Sequence, residues 1–131
     1  GVSAWLTMKL SPIFAHVSPY MFLVAYFMIA IVITNFINNA VVGAVLIPIS
    51  FSLSVSMGLN PVAVCACMIM FADFGVMLPS ASPTGALIHN STGWIADNEK
   101  YKYCFLSVLL FVLSSLLVGW PLANILFPFA M

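Results

Sequence analysis

Two short stretches of uncharged hydrogen-bonding residues interrupt an otherwise oily chain: Thr34-Asn35-Phe36-Ile37-Asn38-Asn39 and Pro79-Ser80-Ala81-Ser82-Pro83-Thr84-Gly85. Each lies within apolar sequence long enough to be embedded in a membrane. Hydrocarbon offers no hydrogen bonds, and an unsatisfied backbone or side-chain polar group costs several kcal/mol there. Non-helical backbone survives at that depth only where it lines a protein-enclosed cavity. Two such breaks in one small membrane segment form the pattern of an ion and solute binding site, and that pattern points to a transporter.

Composition supports the membrane reading. Hydrophobic residues make up 64% of the chain and charged residues 5%, with a mean hydropathy of +1.21. A soluble domain carries about 25% charge, so this chain could not clothe a soluble core in a water-facing surface. The three lysines, three acids and no arginine sum to zero net charge. Nothing here neutralises a run of phosphates, which excludes nucleic acid as a partner. Cys65 and Cys67 are two apart, roughly 200° around a helix, and Cys104 is remote. Buried small residues, not shared metal ligands, are the expectation for all three. The chain opens at Gly1 with no initiator methionine, basic n-region or cleavage pattern, which is expected of the C-terminal portion of a larger protein.

Along the chain, residues 1–19 read as an interfacial helix and linker, with Trp5 and Lys9 at headgroup level and Ser11-Pro12 opening a second short turn. Ser18-Pro19 is a helix-start signal. The apolar run 20–33 would make roughly 21 Å of helix, whereas a full span needs about 20 residues. It is therefore expected to enter the membrane and stop near the midplane, at the polar tip 34–39. A second apolar arm, interrupted by Pro48 and carrying Ser50, Ser52, Ser54 and Ser56, would return as far as residue 57. Residues 20–57 thus read as a re-entrant helical hairpin. After the Gly58/Asn60-Pro61 turn, residues 61–95 read as a discontinuous transmembrane helix: one piece over 62–78, the two-proline break, and a shorter piece over 86–95. Residues 97–102 hold the chain's main charged run and are expected to be aqueous, on the cytoplasmic side by their two lysines. Residues 101–131 read as a terminal transmembrane helix, bent or ended near Trp120-Pro121. The fold class is all-α integral membrane, one repeat of an inverted-repeat transporter.

At both breaks the chain resembles the C-terminal half of a divalent anion:sodium symporter, of the ion transporter superfamily. The family's hairpin tip reads roughly Thr-Glu-Phe-Thr-Ser-Asn-Thr before an apolar run into Leu-Pro-Ile. Here Thr34-Asn35-Phe36-Ile37-Asn38-Asn39-Ala40 leads to Ile47-Pro48-Ile49. Its broken helix reads roughly Phe-Met-Leu-Pro-Val-Ala-Thr-Pro-Pro-Asn-Ala; here it is Val76-Met77-Leu78-Pro79-Ser80-Ala81-Ser82-Pro83-Thr84-Gly85-Ala86. The resemblance covers most of the chain. It implies a sodium ion between tip and break, held by the Thr34 hydroxyl, the Ile37 carbonyl, the Asn39 side chain and the Ala81 carbonyl. It implies a small anionic substrate against Asn38, Asn39 and Ala40 on one side and Ser82, Pro83 and Thr84 on the other. Hard cations prefer oxygen ligands, and helix N-termini can hold a carboxylate without arginine. Departures bear on the substrate: Asn38 stands for the usual Ser, Ala40 for a Thr, and Gly85 for an Asn.

The implied function is part of a sodium-coupled symporter for a di- or tricarboxylate or other anion, multi-pass in a bacterial-type inner membrane. No cofactor is expected beyond sodium as coupling ion. Its expected partners are membrane lipid and the N-terminal repeat of the same transporter, with a homodimer left open. The alternatives are an arsenite or sodium/proton antiporter-like permease of the same superfamily, to which the Asn-Asn tip also points, and a non-transporting membrane fragment. Enzymes are disfavoured, since there is no catalytic triad pattern, His-Glu metal motif or glycine-rich phosphate loop. Asp73 is the one acid inside an apolar run, a candidate for coupling, set against a hydrogen-bonded aspartic acid beside an aqueous cavity. His89 is read as a packed or interfacial histidine before a proton carrier, and Asn90-Ser91-Thr92 as a chance sequon.

Overall fold

Three helices start with the same device, a proline in the first turn behind a capping side chain. Ser18 Oγ accepts from Met21 N at 3.3 Å ahead of Pro19. Asn60 Oδ1 accepts from Val62 N and Ala63 N at 3.1 and 3.2 Å ahead of Pro61. Ser82 Oγ accepts from Gly85 N at 3.0 Å ahead of Pro83. Proline has no N–H to leave unpaired there, and the cap satisfies a donor that the helix cannot. The computed structural model describes residues 1–14, 16–91, 93 and 95–128. The described residues are helical, with no strand among them: α1 (Val2–Phe14), α2 (Pro19–Thr34), α3 (Asn39–Ser56), α4 (Pro61–Asp73), α5 (Pro83–Asn90), α6 (Asp97–Ser114), a π-helical turn (Ser115–Gly119) and α7 (Trp120–Leu126). Two helical stretches among them, Asn39–Ser56 and Asp97–Leu126, are long and apolar enough to cross a membrane.

The core is built around α4. It runs beside α3, and α2 and α7 also pack on it, while α1 lies against α3. Ala63, Val64, Met68 and Phe71 on α4 are fully buried. Phe71 stacks on Phe27 of α2, ring centroids 4.4 Å apart, and meets Phe111 of α6 edge-on at 5.1 Å; Phe111 in turn stacks on Phe74 at 4.1 Å. These rings tie the three helices at the level where α4 ends. Outward-facing Leu106, Leu109, Leu110 and Leu113 on α6 are exposed, as a lipid-facing surface allows.

Several elements differ from the sequence expectation. α1 runs through Pro12 instead of restarting at it. α3 runs through Pro48. Side chains donate to the carbonyls just before that proline: Tyr26 Oη and Ser50 Oγ to Leu46 O at 3.1 and 2.7 Å, and Cys65 Sγ to Ile47 O at 3.6 Å. The serines that follow bond back to their own helix, which is how Ser settles in an apolar environment. The helix expected over 62–78 stops at Asp73, and α5 begins at Pro83 and ends at Asn90; the expected extension to residue 95 includes Thr92 and Trp94, which lie outside the described residues. The last helix starts at Asp97, inside the charged run, with Asp97 and Glu99 in its first turn, where acids complement the dipole. Lys100 is correspondingly not aqueous. Its side chain is 3% exposed, and Nζ donates to Asp97 Oδ1 at 3.0 Å and to His89 O at 3.2 Å, pinning the end of α5 to α6. Trp120-Pro121 does not end the helix. Trp120 N–H bonds to Ser115 O in a π-turn that widens the coil just before the proline. Residues 129–131 of the expected terminal helix lie outside the described residues.

The α2–α4–α6 ring cluster should dominate stability. Phe71→Ala is expected to cost about 3 kcal/mol, the low end for a buried Phe truncation. The exposed Phe105 on α6 should be replaceable by Ala within about 0.5 kcal/mol. Denaturant titrations of the two variants in the same detergent should separate them clearly.

Candidate functional site

The tip and the break come together at one end of the bundle. α2 ends at Thr34, α3 begins at Asn39, α4 ends at Asp73 and α5 begins at Pro83; the non-helical residues 74–82 face the turn 35–38. Asn38, Asn39, Pro79, Ser80, Ala81, Ser82, Pro83 and Ala86 line a cavity of about 320 Å³ between them. No charged residue lines it.

The side chains of the tip act as C-caps for α4. Thr34 Oγ1 donates to Ala72 O, and Asn39 Nδ2 donates to Asp73 O at 3.1 Å. Thr34 Oγ1 also lies 2.7 Å from Asn39 Oδ1. Those bonds satisfy carbonyls that a helix end leaves free, so α4 can stop five residues before the sequence placed its end, with Pro79 still ahead. Thr34 is fully buried. Asn38 caps α3, its Oδ1 accepting from Ala40 N at 3.0 Å. Ser82 caps α5 and donates its own hydroxyl proton to Gly75 O.

Two glycines allow the approach. A Cβ on Gly75 would lie 3.0 Å from both Asn39 Oδ1 and Thr34 O and 3.2 Å from Ala81 Cβ. A Cβ on Gly85 would lie 2.5 Å from Leu78 O. The break is thus folded back on α5 at Gly85 more closely than a side chain permits, and at Gly75 it meets the tip at a separation tighter than most side chains adopt.

Of the expected cation ligands, Thr34 and Asn39 are joined directly, and Ala81 is buried against Gly75 opposite them. Ile37 sits in the turn with an exposed side chain, its N–H bonded to Ile33 O at 2.9 Å. Of the expected substrate contacts, Asn38, Asn39, Ser82 and Pro83 line the cavity, while Ala40 and Thr84 do not. Asp73 has an exposed carboxylate, and it meets the site through its backbone carbonyl alone among its described bonds. His89 lies outside the site. Its ring is 4.8 Å from that of Tyr101, with Nε2 buried and lacking a hydrogen-bond partner among the described residues. The sequon includes Thr92, outside the described residues.

Sequence reasoning missed three participants. Ala72 contributes only a carbonyl, which no side-chain pattern reveals. Gly75 was visible as the one glycine in the run before Pro79, and Asn35, whose Oδ1 accepts from Met77 N in the break at 2.8 Å, as a polar residue in the tip. A larger cavity of about 430 Å³ lies at the other end of the bundle, between the start of α2, the α3–α4 turn and α7, with Tyr20, Asn60, Trp120 and Asn124 in its lining. No sequence signal singled it out.

No protein-family model matches the chain, and no solved structure does. It is 25% identical over 118 residues to an uncharacterized transporter of Synechocystis, covering 90% of this chain and 19% of that protein. It is 26% identical over 91 residues to the sodium-dependent high-affinity dicarboxylate transporter 2 of Caenorhabditis elegans, covering 70% of this chain and 16% of that protein. It is 26% identical over 118 residues to an uncharacterized transporter of Methanocaldococcus jannaschii, covering 90% of this chain and 26% of that protein. The aligned part of the chain therefore spans 16–26% of the length of these relatives. All three carry transporter names, and the resemblance to a divalent anion:sodium symporter stands with them.

The glycine geometry gives a paired expectation. Gly85→Ala must push the Leu78 carbonyl away and should destabilise the chain by about 1–3 kcal/mol, the usual cost of overpacking. Gly43→Ala, in mid-α3, would meet only the flexible end of Ile47 at 3.7 Å. It should be neutral or stabilising by up to about 1 kcal/mol, the helix-propensity gain. Thermal unfolding of both variants checks the opposite signs.

Proposed function

We propose that this chain is one repeat of a secondary transporter that couples the movement of a small anion, of the di- or tricarboxylate type, to sodium. The observation that carries the reading is the oxygen cluster at the tip. The Thr34 hydroxyl has one proton and faces two acceptors, Asn39 Oδ1 and Ala72 O. A single proton serves one of them at a time. A monovalent cation serves all three oxygens together, and neutral oxygen ligands suit a hard ion that must later leave. The Ile37 and Ala81 carbonyls complete the ligand set by family resemblance.

The polar cavity is the anion's place in this reading. α3 and α5 both begin at its wall, and first-turn N–H groups with the positive ends of two helix dipoles attract a carboxylate where no lysine is near. The bound cation adds a full positive charge beside it, which makes anion binding depend on the ion. α2, the tip and α3 act here as the re-entrant hairpin, and α4, the break and α5 as the discontinuous helix. Alternating access requires a second, inverted repeat moving against this one around the shared site. That repeat is the expected N-terminal partner, in a multi-pass protein of a bacterial-type inner membrane, which a homodimer could further assemble.

Two outcomes follow for the chain in lipid nanodiscs and liposomes. Sodium titration should reveal a binding site that Asn39→Ala weakens at least about tenfold, or roughly 1.4 kcal/mol. An unchanged affinity in a folded variant would remove Asn39 from the cage. Under an imposed sodium gradient the chain alone should accumulate no citrate, succinate, sulfate or arsenite above empty vesicles. Saturable sodium-dependent uptake would instead make it a minimal transporter in its own right.

A further inference from the structure

Asn35 makes a connection that neither the cation cage nor the polar cavity uses. It is the residue after Thr34, it is 3% exposed, and both ends of its amide are engaged in opposite directions. Nδ2 donates to Ile31 O at 2.7 Å, one turn back in α2. Oδ1 accepts from Met77 N at 2.8 Å, in the middle of the break. Among the described residues, the side-chain bonds that Thr34 and Asn39 make outside the tip end on Ala72 and Asp73, the last two residues of α4. Asn35 reaches past the helix end into the break itself.

We propose that Asn35 is a positioning residue that makes the shape of the break answer to cation occupancy of the tip. This rests on the cation reading above. An ion held by both Thr34 Oγ1 and Asn39 Oδ1, in place of the hydrogen bond between them, fixes both ends of the turn 35–38. Asn35 lies within that turn, and through Met77 it fixes the strand of backbone that continues into Pro79, Ser80 and Ala81 in the cavity wall. A third cavity, of about 260 Å³, adjoins this bond; Asn35 and Met77 line it with Ile31, Phe36, Leu78 and Tyr101 among others. An opened bond would leave an amide oxygen and a backbone N–H facing that apolar space without a partner, which is unfavourable in a low-dielectric site. The Asn35–Met77 latch is therefore favoured closed. An alkyl side chain can make neither bond, whereas a carboxylate keeps the acceptor toward Met77 and loses the donor toward Ile31.

Site-resolved amide exchange on the chain in nanodiscs tests this, with sodium chloride titrated against choline chloride at constant ionic strength. The reporters are Val42 N–H, bonded to Asn38 O at the tip, and Met77 N–H in the break. At sodium ten times its dissociation constant, exchange through an opening that releases the ion slows roughly tenfold. In the wild-type chain both amides should slow with one sodium midpoint. In Asn35→Ala, Val42 should still respond while Met77 changes less than about twofold, its link to the bound ion being gone. In Asn35→Asp the Met77 response should return. Both variants lose the bond to Ile31, so a role confined to capping α2 would affect them equally, and that result overturns the proposal. So does a Met77 amide that still follows sodium in Asn35→Ala. Should Asn35→Ala not fold, the wild-type chain decides: a shared midpoint supports the latch, and a Met77 amide indifferent to sodium while Val42 responds overturns it. If neither wild-type amide responds, the cation reading itself falls and takes the latch with it.

Discussion

Hydrocarbon accepts no unpaired backbone, and the arrangement at the tip and break is an answer to that single constraint. Where α4 stops, its last carbonyls need donors; where α2 turns into α3, the tip has side-chain donors to give. Thr34 meets Ala72, Asn39 meets Asp73 and Asn35 meets Met77. Each interruption supplies partners to the other, as apolar surroundings require. The same exchange gathers oxygens around Thr34, and the proposed chemistry grows out of that gathering.

Close approach makes the exchange feasible. Gly85 admits the folded-back break at a distance that a Cβ would violate, and Gly75 admits the tip at one that a Cβ would crowd. The supporting frame is packed around aromatic and ionic contacts. Three stacked or edge-on phenylalanine contacts bind α2, α4 and α6 near the end of α4, and buried Lys100 holds the end of α5 against α6. The polar centre is thus held between packed apolar helices.

The site was legible where its chemistry resides in side chains. Thr34, Asn38, Asn39 and Ser82 stand out as polar residues in apolar surroundings, and the structure brings all four to one end of the bundle, with Asn38, Asn39 and Ser82 lining the cavity. It was illegible where the chemistry belongs to the backbone, as with the Ala72 and Asp73 carbonyls, because every residue carries one. Two helix starts were legible for the same reason, through Ser18-Pro19 and Asn60-Pro61, whereas Ser82-Pro83 read as part of the break. Helix continuation was not. Pro12, Pro48 and Pro121 all read as interruptions, yet the helices pass through them. At Pro48, donors from α2 and α4 serve the neighbouring carbonyls, and at Pro121 a π-turn absorbs the misfit.

The amino-acid sequence by itself determined that the chain is helical and membrane-directed, that its polar groups concentrate at two interruptions, and that those interruptions carry neutral oxygen and amide groups in place of charge. Composition, proline spacing and capping residues are local properties, and local properties are what a linear pattern records. Only the tertiary structure decided where α4 ends, that Lys100 is buried although it sits in a charged run, and that Asn35 reaches Met77 across 42 positions of sequence. Each of those depends on a partner supplied by a distant segment. A carbonyl, an ammonium or an N–H is equally content with water or with a neighbour, and which one it meets is settled by packing.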